Sequence, residues 1–295
     1  MKNKKGFLVF LALLLSPALL FVQEWHFDVP YVPTRPEVVA RMLETAGVGK
    51  NDVLYDLGCG DGRIVIAAAK LYGTRGVGVD INPERIKESR ANAAQAGVSD
   101  LVKFLEQDLF QTDFHEATVL TLYLLSSVNL RLRPLIFDQL RPGSRVVSHD
   151  FSMEDWMADR TEVVELGAEA HNVYFWVVPA NASGVWKGAW TEGAPSFPFV
   201  LTIEQRFQVA SGRMTVGEKE MALTDVIING DRIRFSVEME SGGRARTLSF
   251  DGRITRDIME GGVSVAGERK PGAQRWKAER NPATMTRLDS GALGR

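Results

Sequence analysis

The stretch Val53 to Arg63, V-L-Y-D-L-G-C-G-D-G-R, constrains this chain more than any other. Val53 to Leu57 reads as a buried strand and Arg63 to Leu71 as a helix, so Gly58, Gly60 and Gly62 fall on the turn between them. Glycine there lets the backbone turn tightly and keeps Cβ atoms away from a ligand approaching the loop. Glycines also serve packing alone in many such turns, so the acid two residues ahead of the first glycine carries more information. A pyrophosphate loop needs no carboxylate at Asp56, whereas a ligand bearing an ammonium group is stabilised by one. The G-K-[ST] ending of a nucleotide-phosphate loop is absent, and a dinucleotide loop of the G-x-G-x-x-G type would stand without Asp56.

Around this turn, from about Trp25 to Ala180, short apolar runs alternate with helical stretches, the pattern of βαβ units and a mostly parallel sheet. Helices are expected at Glu37 to Ala46, Pro83 to Ala96 and Asn129 to Leu140. Further strands are expected at Gly76 to Ile81, Leu101 to Leu105, Ala117 to Leu125 and Arg145 to His149. Thr161 to Leu166 and Asn172 to Pro179 predict a hairpin that adds an antiparallel edge. The strand after the glycine loop ends on Asp80, eighteen residues past Gly62, where a carboxylate can accept both ribose hydroxyl hydrogens. The next ends on Glu106-Gln107-Asp108, and Asp108 can take an adenine amino group. Three acids at the carboxyl ends of three successive strands converge on one crevice.

On these residues the chain resembles the class I S-adenosylmethionine-dependent methyltransferases, over about Tyr31 to Pro179. The D-L-G-C-G-D-G-R loop, the G-V-D strand end and the Q-D-L strand end match that family's cofactor motifs in order and spacing. The resemblance implies a Rossmann-like, seven-stranded α/β sheet closing on an antiparallel hairpin. It implies that Asp56, Gly58 and Gly60 cradle the methionine moiety of S-adenosyl-L-methionine, that Asp80 holds the ribose, and that Asp108 with Leu109 holds the adenine. P-Y-V-P-T at Pro30 to Thr34, followed by D-L-G-C-G-D-G-R-I-V, resembles more narrowly the lysine methyltransferases of the ATP synthase c subunit and the adenine nucleotide translocase, with their bacterial relatives.

Methyl transfer to an amine needs an uncharged nitrogen in line with the methyl group. Candidates for that work follow the fourth and fifth strands. His149 or Asp150 would take a proton, and Tyr123 with Tyr31 would line an aromatic slot for an ammonium group. No N/D-P-P-Y signature follows the fourth strand, where Leu125-Ser126-Ser127-Val128 stands. The single cysteine, Cys59, lies inside the glycine loop, which excludes intrachain disulfides, a thiolate zinc cluster and a proline-cysteine nucleophile pair. With four scattered histidines and no H-E-x-x-H, no metal site is expected. A balance of 35 Lys+Arg against 37 Asp+Glu disfavours nucleic acid as partner.

Beyond Ser183 the grammar changes to strand-like pieces at roughly ten-residue spacing, with turn signals at Ser211-Gly212, Asn229-Gly230-Asp231, Gly242-Gly243 and Gly261-Gly262. This predicts a small all-β domain, an antiparallel barrel or sandwich, with Trp186, Trp190 and Trp276 filling or closing it. At the other end, three lysines within Met1 to Lys5 precede Phe7 to Val22, which is apolar apart from Ser16 and Pro17. That pattern reads as a signal peptide or a membrane anchor, and it predicts a membrane-associated or exported protein whose side of the membrane stays open. The expected organisation is therefore a leader at 1–24, a methyltransferase domain at 25–180, a β accessory domain at 183–283 and a flexible tail at 284–295. The expected activity is methyl transfer to lysine in a protein acceptor, a membrane protein among the candidates. A small-molecule N- or O-methyltransferase and a non-catalytic envelope ligand-binding protein are the alternatives.

Overall fold

A computed structural model describes residues 31–191, 196–241, 244–265 and 274–289 of the chain. The leader at 1–24, Pro30 and the turn Gly242-Gly243 lie outside the described residues. The membrane-associated or exported location is corrected by the structure: among the described residues no helix is long and apolar enough to cross a membrane.

The first sheet is built from β1 (Val53–Leu57), β2 (Arg75–Asp80), β3 (Val102–Glu106), β4 (Val119–Leu122), β5 (Arg145–His149), β6 (Arg160–Leu166) and β7 (Glu169–Val177). Its order is β3-β2-β1-β4-β5-β7-β6; the first five strands are parallel, and β7 pairs antiparallel with both β5 and β6. Every residue of β1 is buried, because both faces of the sheet are covered. On one face α1 (Pro36–Thr45), α2 (Arg63–Tyr72) and α3 (Pro83–Ala96) supply Met42, Leu43, Val65, Ala68 and Ile86 against Leu54. On the other, α4 (Ser126–Gln139) packs Val128, Leu132 and Ile136 against Tyr55 and Leu57. The strand order reverses at β1, between β2 on one side and β4 on the other, and a ligand crevice opens at the carboxyl ends of strands at such a point.

β4 is shorter than its apolar run. The Leu125 carbonyl already accepts from Val128 and Asn129, so α4 begins at Ser126 and the residues between are drawn into its entry.

The second sheet holds β8 (Gly184–Thr191), β9 (Ser196–Arg206), β10 (Val209–Val216), β11 (Lys219–Ala222), β12 (Thr224–Asn229), β13 (Arg232–Ser241), β14 (Arg244–Thr255), β15 (Ile258–Val265) and β16 (Gln274–Arg280), all antiparallel. Its order is β11-β10-β9-β8-β16-β15-β14-β13-β12. The two edge strands are consecutive in the chain, joined by Leu223, whose N–H donates to the Gly212 carbonyl. The sheet rolls until β10 lies against β12 and β11 against β13, which makes it a barrel. Along β16 burial alternates strictly, placing Gln274, Trp276, Ala278 and Arg280 inward. Trp186, Trp190 and Trp276 are buried with Phe235 and Phe250 in the barrel core, as their sequence context predicted.

Two expected turns are not turns. Gly212 lies within β10 opposite Ile203, and Gly261 lies within β15 opposite Gly252 and Trp276. A Cβ on Gly212 would overlap the Thr202 carbonyl oxygen and one on Gly261 the Asp251 carbonyl oxygen, so these glycines serve close approach of neighbouring strands. Asn229-Gly230-Asp231 does turn, with Gly230 at φ +56°.

The barrel docks on the α/β body. Phe207 stacks with Phe137 and Trp156, the Arg133 guanidinium sits 5.0 Å over the Phe207 ring, and Arg206 pairs with Asp155. Within residues 284–289, Thr284 Oγ1 accepts from the Val185 N–H at 2.8 Å and the Leu288 carbonyl accepts from Phe207.

Candidate active site

The glycine loop sits where β1 hands the chain to α2. Gly58 (φ +82°) and Gly60 (φ +54°) adopt the left-handed conformation that side chains resist. A Cβ on Gly58 would stand 2.8 Å from Leu124 Cδ2, and one on Gly60 2.5 Å from Tyr31 Cε2. The loop is held from β2: Gly58 and Cys59 both donate to the Val79 carbonyl, and Gly60 N donates to Asp80 Oδ2 at 2.8 Å. Asp80 Oδ1 accepts from Asn82 N, so this carboxylate fixes the loop against the strand end while keeping further acceptor capacity. Gly60→Ala is expected to cost about 1–2 kcal/mol in strain alone and to weaken cofactor binding, read together by chemical denaturation and calorimetry.

Asp56 is 3% exposed and accepts from Thr121 Oγ1 at 2.7 Å. Burial pushes its carboxyl up to about 7 against the Thr121 hydrogen bond, and the charges of Asp80 and Asp61 push the same way as burial. A cation at this position would therefore relieve an unfavourable environment. Asp61 differs: burial opposes ionisation there, but the Arg63 guanidinium at 2.6 Å and its hydrogen bonds outweigh it and hold the carboxyl low. The Cys59 thiol is raised by burial and by the surrounding acids, so it remains a thiol and no nucleophile.

The crevice is about 820 Å³, within the range of small-molecule sites. All six expected cofactor residues line it: Asp56, Gly58, Gly60, Asp80, Asp108 and Leu109. Asp108 caps the short helical turn at 109–111, its Oδ1 accepting from Phe110 N and its Oδ2 from Gln111 Nε2, which presents Leu109 and Phe110 to the cleft. No barrel residue lines the cleft among the described residues.

The four expected catalytic residues divide. Tyr31 and Tyr123 line the cleft, Tyr31 lying over Gly60 with the Arg85 guanidinium 4.5 Å from its ring. His149 and Asp150 do not line it. His149 is 1% exposed, stacks behind Tyr123 at 3.8 Å, and has its Nδ1 3.2 Å from Thr34 Oγ1. Burial drives its pKa down to about 4, with the Asp150 charge opposing and His171 assisting, so the imidazole is neutral at neutral pH. Asp150, in the left-handed region at φ +58°, accepts from Asn172 N at 2.7 Å. His171, counted in the sequence among scattered histidines, comes from β7 and stands beside both.

Sequence reasoning missed Thr121, Thr34 and His171. For Thr121 a signal existed: one hydroxyl in the apolar run V-L-T-L, on the strand that pairs Thr121 with Asp56. Thr34 stood in the P-Y-V-P-T motif, but nothing there pointed to His149, 115 residues on, and His171 meets His149 and Asp150 only through strand pairing.

The family described as the ANTKMT methyltransferase domain matches residues 56–160. Over 151 residues the chain is 48% identical to a protein-lysine N-methyltransferase of Saccharolobus islandicus (strain REY15A), covering 51% of this chain and 94% of that relative. It is 35% identical over 136 residues to the lysine N-methyltransferase of the ATP synthase c subunit from Mus musculus, which accounts for 45% of this chain and 53%, about half, of that relative. Among solved structures, an RNA methyltransferase from Salinibacter ruber in complex with S-adenosyl-L-homocysteine is 58% identical, covers 50% of this chain and 93% of that one, and superposes with a TM-score of 0.47.

Proposed function

The chain belongs to the S-adenosylmethionine-dependent methyltransferases, in the family of the protein-lysine N-methyltransferases, and from that premise we propose that it methylates a lysine side chain in a protein acceptor. Membership sets aside the non-catalytic envelope ligand-binding alternative. The observation that carries the lysine reading is the 48% identity to a named protein-lysine N-methyltransferase over 94% of that relative's length. Tyr123 facing the cleft suits such an acceptor, because aromatic faces attract an ammonium group, whereas the Tyr31 ring already carries the Arg85 guanidinium.

The residues fit the cofactor: a buried carboxylate that gains from a cation, a glycine cradle free of Cβ atoms, and strand-end acids within one cleft. When bound, S-adenosyl-L-methionine supplies a methyl group whose bond to sulfur breaks as the acceptor nitrogen bonds to it. In this reading Asp56 receives the amino group of the methionine moiety. Asp80 receives the ribose hydroxyls while pinning Gly60. Asp108 and Leu109 bound the adenine. Tyr123 is held at its angle by the buried, neutral His149 ring stacked behind it, which makes His149 a positioning residue. The half-buried Tyr123 ring first draws in the ammonium, and desolvation against it then favours the uncharged nitrogen that attacks.

The test is incubation of the purified chain with methyl-labelled cofactor and a cell extract. Label is expected in material that protease releases, with methyl-lysine recovered after hydrolysis. Label confined to nuclease-sensitive material or to small molecules would refute the lysine acceptor.

A further inference from the structure

At the carboxyl end of β5 the chain places His149 and Asp150 side by side, and β7, running antiparallel beside β5, adds His171. Three atoms converge there. His149 Nε2 lies 3.1 Å from His171 Nδ1 and 3.1 Å from Asp150 Oδ2, and His171 Nδ1 lies 2.9 Å from Asp150 Oδ2. The triangle is nearly equilateral.

The remaining atoms of these side chains face other partners. The far nitrogen of His149, Nδ1, meets Thr34 Oγ1 at 3.2 Å. The far oxygen of Asp150, Oδ1, accepts from Asn172 N at 2.7 Å. The far nitrogen of His171, Nε2, is buried with no hydrogen-bond partner, and Glu169 Oε2, itself paired with Arg35, lies 3.8 Å from it. Assigning the Nδ1 proton of His149 to Thr34 and the Nε2 proton of His171 toward Glu169 leaves two imidazole lone pairs and a carboxylate oxygen aimed at one another. Three acceptors at this separation repel unless something positive sits among them. The Thr34 oxygen behind the distal nitrogen of His149 is also the arrangement that orients metal-bound imidazole.

We propose that His149 Nε2, Asp150 Oδ2 and His171 Nδ1 bind a divalent first-row transition cation of the Zn2+ class. Two imidazoles and one carboxylate are an established donor set for such ions, and three protein ligands leave a position open. With metal–nitrogen and metal–oxygen distances of about 2.0–2.2 Å, ligand atoms of a tetrahedral site stand roughly 3.3–3.5 Å apart. The observed separations need only a few tenths of an ångström of widening. Burial suits the site as well: His149 is covered, while the Asp150 and His171 side chains are 26% and 17% exposed and leave an entry path. The ion would clamp β5 to β7 and hold the His149 ring against Tyr123, so it sits one ring behind the cleft, outside it.

The experiment uses the full chain, dialysed against chelator and titrated with Co2+ alone, followed by Zn2+ competition. Expected are visible d–d absorption saturating at one Co2+ per chain, its loss on adding one equivalent of Zn2+, and one zinc per chain by elemental analysis. His171→Ala and Asp150→Asn are each expected to weaken Co2+ binding by at least about 100-fold, beyond the 10–100-fold of an outer-shell change, and Thr34→Val by about 10-fold. His115→Ala, which removes the exposed histidine beside Asp113, should leave binding unchanged. A wild-type chain that gives no Co2+ spectrum and no stoichiometric zinc overturns the proposal, whatever becomes of the variants. So does a His171→Ala protein that keeps its circular dichroism and binds Co2+ as tightly as wild type; the triangle would then be held by a shared proton.

Discussion

Replacing Asp56 by asparagine is expected to stabilise the cofactor-free protein at pH 8 while weakening its hold on S-adenosyl-L-methionine. Burial raises the Asp56 carboxyl from 3.8 to about 7, so the folded chain keeps a proton there that the unfolded chain releases. A group raised in this way contributes stability that is complete below pH 3.8 and is lost as pH rises toward 7, where the folded state must at last ionise it. A shift of about three pH units corresponds to about 4 kcal/mol. Asparagine has no such proton to lose and keeps an oxygen for the Thr121 hydroxyl. The variant should therefore match wild type near pH 4 and exceed it above pH 7, by chemical denaturation at each pH. Binding runs the other way. A cofactor ammonium favours ionised Asp56, so wild-type affinity should climb up to tenfold per pH unit below 7, with proton release visible in calorimetry across buffers of different ionisation enthalpy. Loss of a charge-assisted hydrogen bond should cost the variant roughly 10–100-fold in affinity at pH 8 and flatten its pH dependence. Parallel pH profiles for the two proteins would remove Asp56 from the ammonium site.

Trp276→Ala is expected to destabilise the barrel by about 3–5 kcal/mol, the range for truncating a buried large aromatic side chain. Trp276 is 2% exposed, meets Phe235 and Phe250 edge-on with ring centroids 5.7 Å away, and donates from Nε1 to the Asp251 carbonyl. It also lies over Gly252, where a Cβ would stand 2.5 Å from its ring, so the strand beneath is shaped to receive it. Its strand is held in register on both sides, by β15 and by β8, which limits collapse into the space left. Because no barrel residue lines the cleft among the described residues, the folded variant should bind cofactor as wild type does. Urea unfolding followed by tryptophan fluorescence, with calorimetry on the folded protein, reads both; a loss under about 1 kcal/mol would show that the barrel core does not depend on this side chain.

What the sequence determined by itself lies in contacts between near neighbours. Glycines two residues apart on a strand-to-helix turn, with an acid just before them, need only local geometry to make a cradle. The places of Asp80 and Asp108 at the cleft are legible because β2 ends on Asp80 and β3 two residues before Asp108, and the alternation of Trp276 with its neighbours along β16 marks the barrel interior. The tertiary structure decided what depends on partners distant in the chain. β7 enters the sheet between β5 and β6, and only that insertion brings His171 to His149 and Asp150. It also turns His149 from an expected proton acceptor facing the cleft into a buried ring behind Tyr123. Gly212, after Ser211, and Gly261, before Gly262, read as turns because a Ser-Gly or Gly-Gly pair carries the same local signal whether it bends the chain or admits a neighbouring strand. Which applies is settled by the carbonyl oxygen across the sheet, Thr202 for one and Asp251 for the other, and that oxygen is placed by strand register, which residue types alone do not fix.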